Sequence, residues 1–146
     1  QKRFRNQYHK LGVNLIYTSN WWIGILTCVF RPFDISLQQF NVLRILRGRH
    51  PKPCGIQWIK ERMLDKMSDA SRLVDRLKEK GLVSRIANPS DRRAVEITIT
   101  SKGLTLLKKM DQKNGNLDQL FKSLTFNEVK LVNVLLDKLR TKNKLE

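Results

Sequence analysis

The stretch that decides the fold is Ser68–Ser101, which reads SDASRLVDRLKEKGLVSRIANPSDRRAVEITITS. Its first part predicts a helix, because apolar residues recur every three or four positions and form one face. Ser68 is the predicted N-cap, and Asp69 falls in the first turn, where a carboxylate meets the positive end of the helix dipole. Gly81 after Lys80 predicts that the helix ends there. The apolar face consists of Ala70, Leu73, Val74 and Leu77.

After Gly81 the pattern changes to a period of two. The runs 82–87 and 94–100 predict the two strands of a hairpin, joined by a tip that contains Asp91, Arg92 and Arg93. A helix with a polar outer face followed by a hairpin with a cationic tip resembles the recognition helix and wing of a winged helix-turn-helix.

The composition favours one domain with a polyanionic partner. A chain of 146 residues with 40% hydrophobic content is long enough to build one core. Its 29 Lys and Arg against 13 Asp and Glu give a formal net charge of +16, so nucleic acid is the first candidate partner. Because the excess is spread along the chain, a sequence-indifferent architectural nucleic-acid binder is the alternative.

Several other classes are disfavoured. No stretch approaches the roughly 20 apolar residues that would span a membrane, so we expect a soluble protein. Two cysteines without a secretory leader indicate a reducing, cytoplasmic setting. Cys28 is interpreted as a small buried hydrophobe and Cys54 as loop packing, with an oxidant sensor as the alternative. The histidines and cysteines lack metal-ligand spacing, so we expect no structural metal. The chain also lacks catalytic and cofactor motifs, so we expect a protein that is not an enzyme and holds no cofactor.

The two ends of the chain predict long amphipathic helices. The first runs to Pro32 and carries more apolar surface than one small core needs. A capping box at Ser36 and Gln39 begins a second helix, and a short helix over residues 56–63 precedes the opening stretch, which gives the helix-turn-helix order. Thr100 is a predicted N-cap for the helix after the hairpin, and residues 125–128 form a second capping box.

These elements predict a mainly α fold with a small β-hairpin wing. We expect an N-terminal dimerisation helix and connector over residues 1–35, a winged helix-turn-helix over residues 36–103 and C-terminal dimerisation helices over residues 104–146, all in one integrated domain. The flanking helices together predict a helical homodimer interface.

Three segments are similar to the MarR family: LQQFNVL at 37–43, SRLVDRLKEKGLV at 71–83 and SDRRAVEITITSKG at 90–103. The last resembles the family's wing signature, an Asp-x-Arg followed by a strand that ends in Thr-x-x-Gly. The resemblance runs from about Leu37 to Leu107. It implies a homodimeric winged-helix transcription factor that binds a pseudo-palindromic operator, mostly as a repressor released by a small phenolic or other aromatic ligand, or by oxidants.

The predicted recognition helix carries the candidate DNA contacts. Arg72 and Arg76 lie one turn apart on the exposed face, and arginine contacts guanine or phosphate. The alternative is a solvated face with ordinary ion pairs, which applies most to Arg76. Asp69 would repel phosphate and would help only by accepting from a cytosine amino group or by capping. The remaining candidates on this side are Ser68, Ser71 and, in the preceding loop, Lys52.

The wing and the aromatic residues take their roles from the resemblance. It implies that Asp91 and Arg93 brace the wing and that Arg92 is free for the minor groove, whereas a turn with charges for solubility is the alternative. Four aromatic residues cluster where the first helix meets the second, near the family's ligand cleft, although core packing explains them equally well. They are Trp21, Trp22, Phe30 and Phe33.

Overall fold

The computed structural model describes residues 4–87 and 95–142. Within them, the chain forms six α-helices and one antiparallel hairpin, so the predicted fold class is confirmed. The elements are α1 (Gln7–Phe30), α2 (Leu37–Arg49), α3 (Ile56–Arg62), α4 (Ala70–Glu79), β1 (Val83–Ala87), β2 (Val95–Ile99), α5 (Ser101–Asp118) and α6 (Phe126–Lys142), with 3-10 turns at Arg31–Phe33 and Gln119–Phe121. The tip residues Asp91, Arg92 and Arg93 lie outside the described residues.

The chain forms two compact units, Gln1–Met110 and Asp111–Glu146. The first contains α1 to α4, the hairpin and the first three turns of α5. The second contains the rest of α5 and α6, whose N-terminus is held by a capping box between Thr125 and Glu128. The division into three parts at residues 35 and 103 stays a prediction.

The core of the first unit lies between α2, α4 and the hairpin. Each of these elements turns one apolar face inward, as the spacing of their aliphatic residues predicts. The side chains that are almost completely buried include Val42, Leu43 and Leu46 of α2, Ile59 of α3, Val74 and Leu77 of α4, Ile97 of β2 and Leu107 of α5.

The N-terminus of α4 differs from the prediction by one residue. Asp69 is the N-cap, and its carboxylate accepts from the backbone N–H of Arg72 at 3.1 Å. The prediction of Ser68 was wrong: the helix begins one residue later, and the Ser68 hydroxyl donates to Asp65 at 2.7 Å within the preceding turn. Of the two roles weighed for Asp69, capping is therefore confirmed.

The C-terminus of α4 is closed as predicted. Gly81 adopts a left-handed conformation with φ of 70°, which glycine adopts without steric cost. The N–H groups of Gly81 and Leu82 donate to the carbonyls of Lys78 at 2.8 Å and Leu77 at 2.9 Å. This pair of bonds is a Schellman motif, and it turns the chain directly from α4 into the hairpin.

The two strands pair from Val83 opposite Ile99 to Ala87 opposite Val95, within one residue of the predicted ends. The loop between α2 and α3 adds a further bridge. Cys54 donates to the carbonyl of Ile97 at 3.1 Å and accepts from its N–H at 2.9 Å. The loop that carries Lys52 is thus attached to the wing, and the interpretation of Cys54 as a packed residue is confirmed by its burial.

Two predictions about α1 were wrong, namely that no stretch of the chain could span a membrane and that Cys28 is buried. An 18-residue window within Gln7–Phe33, which is the helix together with the turn that follows, has a mean hydropathy of 1.2, so this segment is long and apolar enough to cross a membrane by length and composition alone. No charged residue lies between Lys10 and Arg31. Polar residues are scattered through this segment, and they make its overall apolar character hard to recognise in the sequence. Only 6% of its most apolar window is buried, so Cys28 is exposed rather than buried.

The start of α5 packs tightly against the end of α4. A methyl group added at Gly103 would lie 2.4 Å from the carbonyl oxygen of Leu82 and 2.7 Å from Cγ1 of Ile99. Gly103→Ala should therefore lower the free energy of unfolding by about 1 to 3 kcal/mol. Gly48→Ala in α2, with nothing within 4 Å, should instead be neutral or raise it by up to about 1 kcal/mol. Urea denaturation at one protein concentration compares the two variants. Equal free energies of unfolding would show that Gly103 is not closely packed.

Candidate nucleic-acid interface

The outer face of α4 presents Arg72 to solvent. Its side chain is exposed and has no ion-pair partner among the described residues. The helix is held at both ends, by Asp69 at the N-terminus and by Gly81 at the C-terminus. Arg72 is therefore a free guanidinium on a rigid helix, which is what contact with guanine or phosphate requires.

A groove of about 540 Å³ lies between α3 and the start of α4. It brings together three of the residues predicted to contact DNA, Ser68, Asp69 and Ser71. The groove is also lined by Ala70 of α4 and by five side chains that were not predicted to contact DNA, which are Ile56, Gln57 and Lys60 of α3 and Lys66 and Met67 of the turn. The groove thus combines hydroxyl and amide groups with two ammonium groups, next to the face that carries Arg72.

The carboxylates near this surface are engaged within the protein. Asp69 accepts from the N–H of Arg72, and Asp75 forms an ion pair with Arg85 of β1. Asp65 accepts from Ser68 and from the N–H of Met67, and these hydrogen bonds hold the pKa of Asp65 below its usual value. Asp75 is thus paired with the hairpin rather than with Arg72 or Arg76 of its own helix, and none of these three carboxylates needs a partner on DNA.

Arg76 lies on another side of α4 from the groove. It lines a cleft of about 680 Å³ with Arg31 and Cys28 at the end of α1 and with the buried Gln39 of α2. The cleft also contains Glu79. The role of Arg76 in DNA binding stays a prediction.

Two arginines share one aromatic ring, an arrangement that the sequence analysis did not predict. The guanidinium of Arg62 lies 3.8 Å from the ring centroid of Trp58, and that of Arg49 lies 5.2 Å from it. Cation–π contact holds both charges beside α3. The spacing of four between Trp58 and Arg62 was the available signal. Lys52 is exposed in the adjacent loop.

Burial affects the thiol beneath this surface. Cys54 is buried, and desolvation raises the pKa of its thiol despite the nearby charges of Arg49 and Arg62. A raised pKa keeps the thiol protonated and poorly nucleophilic. Cys54 therefore acts as a packing residue of the loop.

The four predicted effector residues occupy different environments. Phe30 is buried in the core, with its ring centroid 4.4 Å from that of Phe40. Trp21 and Trp22 lie in the preceding turns of α1, with centroids 6.3 Å apart. Phe33 lines a cleft of about 450 Å³. The other lining residues of this cleft are Asp34, Lys80, Leu82, Lys102, Thr105, Leu106 and Lys109.

Metal chemistry finds no support in the described part of the chain. No group of three or more His, Cys, Asp or Glu side chains there is placed to hold a metal ion.

A short helix, a tight turn, a capped second helix and a hairpin packed beside it define a winged helix-turn-helix protein, a class that binds DNA. The MarR family model matches residues 35–95. Over 114 residues, the chain is 32% identical to the multiple antibiotic resistance protein MarR of Escherichia coli K12, which covers 73% of this chain and 74% of that protein. The chain belongs to the MarR family and is a DNA-binding transcriptional regulator.

Other relatives agree. The chain is 30% identical over 110 residues to the transcriptional repressor IacR of Pseudomonas putida, which covers 75% of this chain and 65% of that repressor. Among solved structures, a mutant of E. coli MarR in complex with operator DNA has a TM-score of 0.82 at 28% identity, with 94% of this chain and 99% of that chain covered. A MarR transcription factor from Planctomyces limnophilus has a TM-score of 0.72 at 32% identity, covering 92% and 98%. These relatives are transcription regulators rather than enzymes.

The cap of α4 allows a direct test. Asp69→Ala should lower the free energy of unfolding by about 1 kcal/mol, because the N–H of Arg72 loses its acceptor. Asp69→Ser keeps an acceptor and should cost only a few tenths of that amount. Urea denaturation measures both. Equal losses in the two variants would show that the capping bond contributes little.

Proposed function

We propose that the protein is a homodimeric, sequence-specific repressor that binds a pseudo-palindromic operator and is released by a small aromatic or phenolic effector. The observation that carries the proposal is the free Arg72 on the capped helix α4, beside a groove that contains two lysines. The similarity in fold to a MarR protein solved on operator DNA supports it.

The operator geometry follows from two copies of this surface. Two α4 helices about 34 Å apart would enter successive major grooves on one side of a duplex. Each wing would then reach the adjacent minor groove with Arg92, braced by Asp91 and Arg93, as the family resemblance implies. Lys52 and the arginines stacked on Trp58 are suited to hold the phosphates between these two contacts.

Arg72→Ala tests the reading surface. Operators are first selected from a random DNA pool with the wild-type protein. The substitution should weaken binding to a selected operator by about 5- to 150-fold and relax the preference at one base pair per half-site, since a lost bidentate arginine contact costs about 1 to 3 kcal/mol. Fluorescence anisotropy gives the dissociation constants. Unchanged affinity and preference would remove Arg72 from the proposed contacts.

A control separates base reading from bulk charge. Lys108→Ala removes the same charge from an exposed position of α5 and should change affinity little. The rival function, a sequence-indifferent architectural binder, predicts that random duplex competes as well as the selected operator. Failure to select any operator would favour that rival.

The apolar surfaces of α1 and α6 support the homodimer. On α1, Tyr8, Leu11 and Ile16 are 86%, 48% and 66% exposed, and on α6, Leu131 and Val134 are 57% and 62% exposed. Exposed apolar patches of this extent mark interaction sites. We assign them to a second copy of the chain rather than to lipid, because a transcriptional regulator acts where the DNA is. The protein is accordingly proposed to be soluble and cytoplasmic.

Leu15→Glu tests that assignment. Leu15 lies on the apolar stripe of α1, and a carboxylate there should shift the protein from dimer to monomer at micromolar concentration, because an unpaired charge would be buried. Asn20→Glu, about 140° around the same helix, is the control and should leave the dimer intact. Sedimentation equilibrium without detergent measures both. A wild-type monomer at micromolar concentration would overturn the homodimer.

The effector site is proposed to be the cleft lined by Phe33. Leu82 and Leu106 supply apolar surface for a ring, and Lys102 and Lys109 supply positive charge for a carboxylate or phenolate. Two structural neighbours respond to or bind such compounds: BpsR of Bordetella bronchiseptica is regulated by 6-hydroxynicotinic acid, and the regulator RdhR has been solved with 2,4-dichlorophenol. Both compounds are suitable probes here.

Phe33→Ala tests the cleft. An aromatic acid that binds there should raise the melting temperature of the wild-type protein and release it from the operator, and the substitution should weaken that binding at least tenfold by removing the ring it packs against. Phe121→Ala, in the second unit, is the matched control. Equal effector affinity in wild type and Phe33→Ala would move the site elsewhere, with Trp21 and Trp22 as the next candidates.

A further inference from the structure

Met67 is an apolar side chain held in solvent beside the recognition helix. It is 93% exposed, the highest value among the large hydrophobic side chains of the described residues. It lies in the turn between α3 and α4, two residues before the N-cap of α4. Such exposure leaves the thioether without the protein contacts that methionine normally makes.

The turn fixes the backbone from which this side chain projects. The N–H of Met67 donates to Oδ1 of Asp65 at 3.0 Å, and the hydroxyl of Ser68 donates to Oδ2 of the same carboxylate at 2.7 Å. The next residue, Asp69, caps α4. The backbone on both sides of Met67 is therefore fixed, and an apolar group is presented at a defined position relative to α4.

The surroundings of Met67 identify the occupant. The groove it lines also contains the ammonium groups of Lys60 and Lys66 and the polar groups of Gln57 and Ser71. An apolar protein partner would have to bury these cations unpaired, which is costly. A DNA major groove places phosphates where cations are needed and offers one apolar group on its base edges, the 5-methyl of thymine.

We propose that Met67 contacts the methyl group of a thymine in each operator half-site and thereby contributes to base selection. The inference rests on the proposed operator binding and names a further specificity-determining residue for it. Thymine is the base to which apolar side chains add most affinity in the major groove, because it alone carries a methyl group there.

Leu64 provides a matched control in the same turn. It is also an exposed hydrophobe, at 85%, but its N–H donates to Oδ1 of Asn41 on α2 at 2.9 Å, and it does not line the groove. Truncation of Leu64 removes comparable exposed apolar surface without removing the proposed contact.

The experiment removes one methyl group at a time. In an operator selected by the wild-type protein, each thymine of a half-site is replaced in turn by deoxyuridine, which lacks only the 5-methyl group. At one thymine per half-site, the wild-type protein should lose about fourfold in affinity, the equivalent of one unburied methyl-sized group. Met67→Ala should bind the thymine operator about fourfold more weakly and be insensitive to uridine at that position.

Two further variants complete the test. Leu64→Ala should retain the full sensitivity to uridine, and Met67→Leu should restore it. Melting temperatures should be unchanged in all variants, since both residues are exposed. Uridine sensitivity that is the same in Met67→Ala as in wild type at every position, or a selected half-site without thymine, overturns the proposal. Failure to select an operator would instead overturn the proposed function.

Discussion

The close approach of α5 to the end of α4 is the constraint that positions the outer face of α4, which carries Arg72 and is proposed to contact DNA. Gly103 packs so near the carbonyl of Leu82 that no larger residue fits, and the hydroxyl of Thr100 donates to the carbonyl of Gly81 at 2.8 Å. The N–H of Thr100 donates to Leu82 at 3.1 Å. The hairpin therefore leaves α4 and returns to α5 through one junction, so the wing strands cannot move independently of the recognition helix.

Only a few residues are needed to position the groups that are proposed to bind DNA. A Schellman motif ends α4, and an aspartate cap starts it, so both ends of a ten-residue helix are fixed by local hydrogen bonds. The bridge between Cys54 and Ile97 adds the loop of Lys52 to the same frame. On a chain of net charge +16, the carboxylates of Asp69 and Asp75 make internal bonds, in which a backbone N–H and the Arg85 guanidinium offset part of their charge.

Sequence reasoning predicted the elements well where a local pattern decides the structure. The spacing of Leu73, Val74 and Leu77, the glycine at position 81 and the capping box at Ser36 depend on neighbours within five residues. It assigned the wrong cap at α4 because Ser68 and Asp69 are adjacent and both suit an N-cap, and the residue at which the turn ends is set by the three-dimensional course of the chain. It misjudged Cys28 because periodicity reveals an apolar face but not whether the rest of the chain covers it. The groove beside Met67 was missed for the same reason, since α3 and α4 meet there only in three dimensions.

Lys80 connects the recognition helix to the cleft beside Phe33. As the C-cap of α4, its ammonium group donates to the carboxylate of Asp34 at 2.9 Å, and its carbonyl accepts from Nζ of Lys102 at 2.8 Å. Both lysines line that cleft. An anionic effector bound there, as proposed above, would compete with Asp34 for Lys80 and with the carbonyl of Lys80 for Lys102. Since a ligand shifts a conformational equilibrium only through contacts that differ between the states, these two bonds are where occupancy of the proposed effector cleft would act on the end of α4.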